Sequence, residues 1–240
     1  MKPDTFQFSV ISLLLAGLSG CGGGGGGAAA PSGPVASTLS FPLQSGYKTA
    51  VVNGLSKSFT ISGTCSGTGN NAEAPATTAA TFEGKAGFSA TNTITMSFTN
   101  CMPASNAQSS TDYWDSNYVD LGFNTGLSSA DANYGVFLTA PSIPTSVTVG
   151  GTGIVGTETL YTDSTKATGY GTAALSYVIE ADTSTTAIVN LISKVYNTGS
   201  TLLWTEQKRY RITSAGALTP VSADIQYANG STTHLILTYN

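Results

Sequence analysis

From residue 174 to residue 239 the chain reads as five alternating apolar runs joined by short links, and little except neighbouring antiparallel strands satisfies such a pattern. The runs cover residues 174–181, 186–196, 201–213, 218–228 and 232–239, and one link is Asn229-Gly230. Asn-Gly is a strong hairpin signal, because both central turn positions favour positive φ. Four short links between five strands make an up-and-down meander. Its faces are legible by alternation. Ala187, Val189, Leu191 and Val195 share one side of their strand, and Leu202, Trp204, Tyr210 and Ile212 share one side of the next. Leu235, Leu237 and Tyr239 do so on the fifth, and these sides are expected to line one core.

The earlier part repeats the pattern less cleanly, with candidate strands at 58–65, 80–90, 93–98, 119–123, 134–139, 146–149 and 154–161. No stretch carries a 3.6-residue apolar period over three turns. Glycine is high at 28 residues, and Ser and Thr abound while Leu, Glu and Lys are sparse, a balance that suits strands and turns. The expected fold is therefore mainly β, an antiparallel sandwich or barrel-like sheet ending in the five-strand meander. The β body spans residues 41–240, with a sub-boundary at 141–153, where Pro141, Pro144 and a glycine cluster interrupt the alternation.

The first forty residues have a different character. Residues 8–18 form a mostly apolar run, far short of the roughly 20 residues a membrane-spanning helix needs but in the range of an export-signal core. It ends in Leu18-Ser19-Gly20-Cys21. This resembles the lipobox of Gram-negative envelope lipoproteins, a functionally uncharacterised group for Gly/Thr/Ser-rich chains of this kind. The resemblance implies a signal peptide over residues 1–20, cleavage before Cys21, and diacylglyceryl (palmitate-type) lipidation of the Cys21 thiol. Two or more acyl chains anchor stably, at about 0.8 kcal/mol per buried CH₂. Gly22, where many inner-membrane lipoproteins carry aspartate, implies the outer membrane, facing the periplasm or the cell surface. Residues 21–40 then carry the lipid and a flexible Gly/Ala/Pro tether with a mean reach of roughly 25 Å.

With Cys21 acylated, Cys65 and Cys101 remain as an even pair, and in an exported chain two such thiols usually join. Formal net charge is −4 and only 9% of residues are charged, too little basic material for a large nucleic-acid surface. Lys194, Lys208, Arg209 and Arg211 are half the basic residues left after the leader is removed.

Few residues here announce chemistry. Gly63-Thr-Cys65-Ser-Gly67 has the spacing of a nucleophile elbow, but a polar, Pro-containing stretch follows in place of a helix, and Cys65 has the disulfide as its better use. Gly151-Thr-Gly153-Ile-Val-Gly156 matches a dinucleotide fingerprint without the βαβ unit that gives it meaning. His234 is the sole histidine, which leaves a Ser-His-Asp site or a zinc site short of ligands; no catalytic residue, metal or cofactor is assigned. Two groups remain as ligand-binding candidates. The stretch from Asp112 to Asp120, with Tyr113, Trp114, Asp115 and Tyr118, follows a Ser- and Asn-rich loop after Cys101. Either its aromatic faces and carboxylates form a ligand loop for a sugar or a cation, or Trp114 and Tyr118 cap one end of the β core while the carboxylates keep the turn soluble. On the meander, Trp204, Glu206, Lys208 and Tyr210 alternate onto one face, where they would floor a pocket if the sheet is concave.

The expected role is that of a lipid-anchored, non-catalytic structural or interaction protein of the envelope, partnered by membrane lipid through Cys21 and by another envelope protein or a glycan, and not by nucleic acid. A small-molecule or glycan-binding lipoprotein is the alternative, and an envelope hydrolase ranks last. A pocket beside Trp114 or Trp204 would favour binding, and a filled core would favour the interaction role.

Overall fold

The computed structural model describes residues 33–228 and 233–240. One helix, α1 (Leu43–Asn53), precedes thirteen strands: β1 (Leu55–Gly63), β2 (Gly67–Glu73), β3 (Thr78–Phe82), β4 (Lys85–Phe98), β5 (Ser105–Asp115), β6 (Asp120–Asn124), β7 (Tyr134–Val136), β8 (Thr152–Tyr161), β9 (Gly169–Ala181), β10 (Thr186–Asn197), β11 (Leu202–Thr213), β12 (Leu218–Tyr227) and β13 (His234–Tyr239). Each strand from β4 to β13 pairs antiparallel with its sequence neighbour. Two further pairings, β1 with β13 and β2 with β4, close the sheet into a 12-strand barrel with β3 left outside as an extra strand. The mainly β, barrel-like architecture and its terminal meander are as the sequence indicates. The sheet runs unbroken across residues 137–151, since β7 and β8 pair directly, Tyr134 opposite Tyr161.

Several local expectations change. Residues 80–90 and 93–98 regroup, because a turn at Glu83-Gly84 splits off β3 and everything after it becomes one 14-residue strand. Residues 66–76, which read as loop, contain β2: their Gly and Asn side chains are small enough to lie between β1 and β4, and cross-strand pairing supplies what propensity lacks. The Ser/Asn-rich stretch after Cys101 is likewise strand β5 as far as Asp115. Arg209 turns to β9 and pairs with Glu180 at 3.1 Å, while Asp224 of β12 meets His234 Nε2 at 2.9 Å. A bulge at Arg209/Tyr210 accommodates Pro220 in β12, a residue that cannot donate to the ladder.

Cys65 and Cys101 form a disulfide, with Cα atoms 5.7 Å apart. It sits at the end of the β2–β4 pairing, beside Gly67↔Phe98 and the hydrogen bond from Thr99 N–H to Ser66 O (2.9 Å). The bond therefore staples the place where closure departs from sequence order. Cys21 and the lipobox, like Asn229-Gly230, lie outside the described residues.

The two rims differ. At one rim lie the disulfide and the turns at 64–66, 99–104, 162–168 and 198–201. At the other lie the turns at 116–119, 182–185 and 214–217, the long connection 137–151, and α1. The entering chain crosses this second rim, bridging Val35 to Asp182 and Phe41 to Val147. Helix α1 then closes it: Leu43, Tyr47 and Val51 point inward and are buried with Trp114, Val189, Tyr210 and Ile212. Gly46 lets the helix backbone touch the carbonyl oxygen of Gly216, a space any Cβ would fill. Gly54, at φ 69°, ends the helix by donating to Ala50 O at 2.9 Å.

Outward side chains of β1, β2, β4 and β5 are chiefly Ser, Thr and Asn, such as Thr60, Asn70, Thr91, Thr95 and Thr111. Across β9–β11 the outside carries ion pairs, Arg209 with Glu180 and Arg211 with Asp182 (2.6 Å). Among the described residues no helix is long and apolar enough to cross a membrane.

Candidate functional site: a cavity beneath the rim helix

The barrel interior is apolar toward both ends and polar across the middle. Phe59, Ile61, Met96, Ile225, Leu235 and Leu237 fill one side of the disulfide end, and Leu160, Ala173, Leu175 and Val195 pack on the opposite wall. Between them inward positions hold Asn71, Glu73, Asn92, Ser110, Asp112, Glu158, Ser193 and Lys208, all buried. Twelve strands enclose more volume than aliphatic side chains fill, and longer polar ones complete it.

One cavity of about 390 Å³ opens beside α1, a size within the usual range of small-molecule sites. Its helix wall is Gln44, Tyr47 and Lys48; Tyr118 comes from the β5–β6 turn, Asp120 from the start of β6, and Phe137 and Ile143 from the long β7–β8 connection. Val155 and Leu175 form the inner end. The turn is built by Asp115, whose Oδ1 accepts from Asn117 N–H (2.7 Å) and Val119 N–H (2.9 Å). That cap holds Tyr118 at φ 65°, stacked on Phe88 at 4.9 Å and beneath the Lys48 ammonium, also at 4.9 Å.

A short relay runs inward from the cavity. Trp114 Nε1–H donates to the Tyr47 hydroxyl at 3.0 Å, and that hydroxyl donates to Asp120 Oδ2 at 3.4 Å; Asp120 Oδ1 accepts from Gly122 N–H at 3.2 Å. Burial, reinforced by the Asp112 charge, pushes the Asp120 carboxyl well above the usual range. Burial, with Asp120 and Asp112 behind it, does the same to Glu158, whose Oε2 has no hydrogen-bond partner. Gly135 makes room for that carboxylate, since a Cβ there would strike Glu158 Oε1 and the Phe123 ring. Glu73 is raised to about 8, first by burial and then by Asp112, with Lys208 opposing. Burial also raises Tyr47, helped by the charge of Asp120.

The sequence candidates divide. Asp112 and Trp114 point into the barrel behind the cavity, whereas Tyr113 and Asp115 lie on the other side of the strand. Tyr113 stacks on Phe82 of β3 at 4.3 Å, and Asp115 caps the turn. Trp204, Glu206, Lys208 and Tyr210 share the inner face, as alternation requires, and among the described residues Glu206, Lys208 and Tyr210 border only small voids. Glu206 and Lys208 pair at 3.2 Å beside a void of about 20 Å³, room for a water molecule only. Trp204 lies between Tyr170 (6.4 Å) and Tyr227 (6.1 Å) near the disulfide rim, and Tyr210 is buried against α1. His234 sits half-exposed on the outer face with Asp224. Among the described residues no group of three or more His, Cys, Asp or Glu is arranged to hold a metal.

Sequence reasoning missed Tyr47, Lys48, Phe137 and Ile143. A signal existed for the helix residues: Leu43, Tyr47 and Val51 recur every four positions, although over fewer than three turns and around Gly46. Comparison with known protein families, curated proteins and solved structures finds no match to this chain.

Proposed function

We propose that this protein is a lipid-anchored, non-catalytic envelope protein whose barrel binds a small molecule in the cavity beneath α1. The observation that carries the binding role is the 390 Å³ space bounded by Tyr47, Tyr118 and Phe137, one hydrogen bond away from Trp114. The outer face of hydroxyls and ion pairs contrasts with the apolar outer band of membrane-spanning barrels. That contrast supports a body standing in water and tied to the outer membrane by Cys21. Because the entering chain crosses the α1 rim, a tether from Cys21 would join the body on the side of the cavity mouth.

Thermal unfolding of the full-length protein against a metabolite and glycan panel tests the binding role. A ligand at 100 times its Kd should add about 2.7 kcal/mol, and the exposed mouth variant Asn117→Trp should abolish that gain. No stabilisation by any compound would sink the reading. For the anchor, Cys21→Ser should end metabolic lipid labelling and membrane retention; unchanged retention would refute it. The interaction role is the second reading, favoured by the exposed Leu138 and Ile154 (72% and 82%), and crosslinking from native membranes would identify its partner.

A further inference from the structure

We propose that the cavity beneath α1 selects a small organic amine, whose protonated nitrogen sits on Asp120 while its apolar body lies against Phe137, Ile143, Val155 and Leu175. This rests on the cavity being a binding site and names the chemistry of its occupant.

The walls are unequal in a way that orients a guest. At the inner end the surfaces are aliphatic and aromatic, and the one acidic group lining the space is Asp120. Its Oδ2 accepts a long 3.4 Å bond from Tyr47, and a carboxylate oxygen has a second lone pair for a further donor. Among the described residues no basic side chain pairs with Asp120. Behind it stands Glu158, 1% exposed, with Oε2 unpartnered, and Asp112 lies close enough to act on both. A cation arriving at Asp120 favours its ionised carboxylate, so the proton that burial keeps on Asp120 leaves to solvent as the ammonium docks. The basic group of the cavity, Lys48, is held away from Asp120 over the Tyr118 ring. An anionic guest would give up its hydration in a space whose one acidic group, Asp120, supplies no opposite charge. A neutral hydroxyl could take the same position but would gain no charge-assisted hydrogen bond.

The test compares three probes of one shape, 2-phenylethylamine, 2-phenylethanol and 3-phenylpropionate, by calorimetry on the full-length protein in detergent. The amine should bind at least tenfold more tightly than the alcohol, and the carboxylate should not bind. Asp120→Asn should bring amine and alcohol within about threefold while leaving alcohol affinity near its original value. Should that variant fail to fold, the wild-type ranking of the three probes decides the matter alone. Alcohol binding as tight as the amine, or no amine binding, overturns the assignment. If panel compounds still stabilise the protein in the Asn117-sensitive manner, the cavity remains a binding site with another occupant; if none does, the binding role fails as well.

Discussion

Replacing Glu73 by glutamine should remove a large part of the pH dependence of folding between pH 5 and 8. Glu73 ends β2 facing inward at 6% exposure, close to Asp112, Asp120 and Lys208. Its carboxyl moves from an ordinary 4.5 to about 8, chiefly because burial disfavours the charged form. The folded protein thus holds this proton more tightly than the unfolded chain. The stability it confers is fully present below pH 4.5 and is lost as pH rises through about 8. At about 1.4 kcal/mol per pH unit, the whole interval amounts to about 5 kcal/mol. Asp120 and Glu158 shift in the same direction, so the wild type should lose stability with rising pH faster than one group explains. Carboxyls that shift downward, such as Asp182 and Glu83, act only at more acidic pH. The Glu73→Gln side chain would keep the shape and a polar terminus without the titrating proton. Urea unfolding followed by tryptophan fluorescence at pH 5, 6.5 and 8 measures both proteins. The expected result is a wild-type midpoint that falls across this range and a variant that falls by about one proton less. A wild type whose stability is flat or rises, or a variant with the wild-type slope, would refute the reasoning.

Three further outcomes are expected. Gly46→Ala places a methyl group against the Gly216 carbonyl and should cost about 1–3 kcal/mol in urea unfolding, as overpacking does; an unchanged midpoint would show that α1 is not seated on that turn. Paired Cys65→Ser and Cys101→Ser substitutions release a loop with a sequence separation of 36 and should cost about 4 kcal/mol, checked against the wild type under non-reducing conditions. Asp182→Asn removes a carboxyl that Arg211 holds below its usual value, so the stability loss of the wild type as pH falls below about 4 should become shallower; an acid limb identical to wild type in thermal scans would count against the pair.

The meander was legible because β9 to β13 alternate cleanly and the described turns between them are short, so neighbouring strands pair in sequence order. Closure was not legible. Nothing local in Asn70 or Asn71 marks β2 as the partner of β4, since the pairing draws its stability from neighbours distant in sequence and from the Cys65–Cys101 bond. Helix α1 was hidden for a related reason: its apolar stripe has only Leu43, Tyr47 and Val51, and the barrel mouth supplies the rest of its stability. The candidate site was half visible. Asp112, Trp114, Tyr118 and Asp120 stood out by residue type, but the strand alternation that turns Tyr113 and Asp115 away was obscured by reading this segment as a loop. The Trp204–Tyr210 face was read correctly as inward, yet inward in this barrel means packed, with Glu206 and Lys208 satisfying each other.

The seam between β1 and β13, where Phe59 lies opposite Tyr239, joins the first described strand to the last, so the ring has no early-forming substitute for its final edge. Every emerging length of chain short of β13 leaves β1 and β12 with unpaired ladders, the surfaces on which strands from different molecules associate. Contacts this distant in sequence also form slowly, because loop closure must precede them. The disulfide spans only β1 to β4 and can form without the meander, which would fix one side of the ring while the other is still being made. Biogenesis of this protein should therefore be most vulnerable in the interval between oxidation of Cys65 and Cys101 and arrival of β13, and truncations within β13 should yield oxidised aggregates instead of smaller barrels.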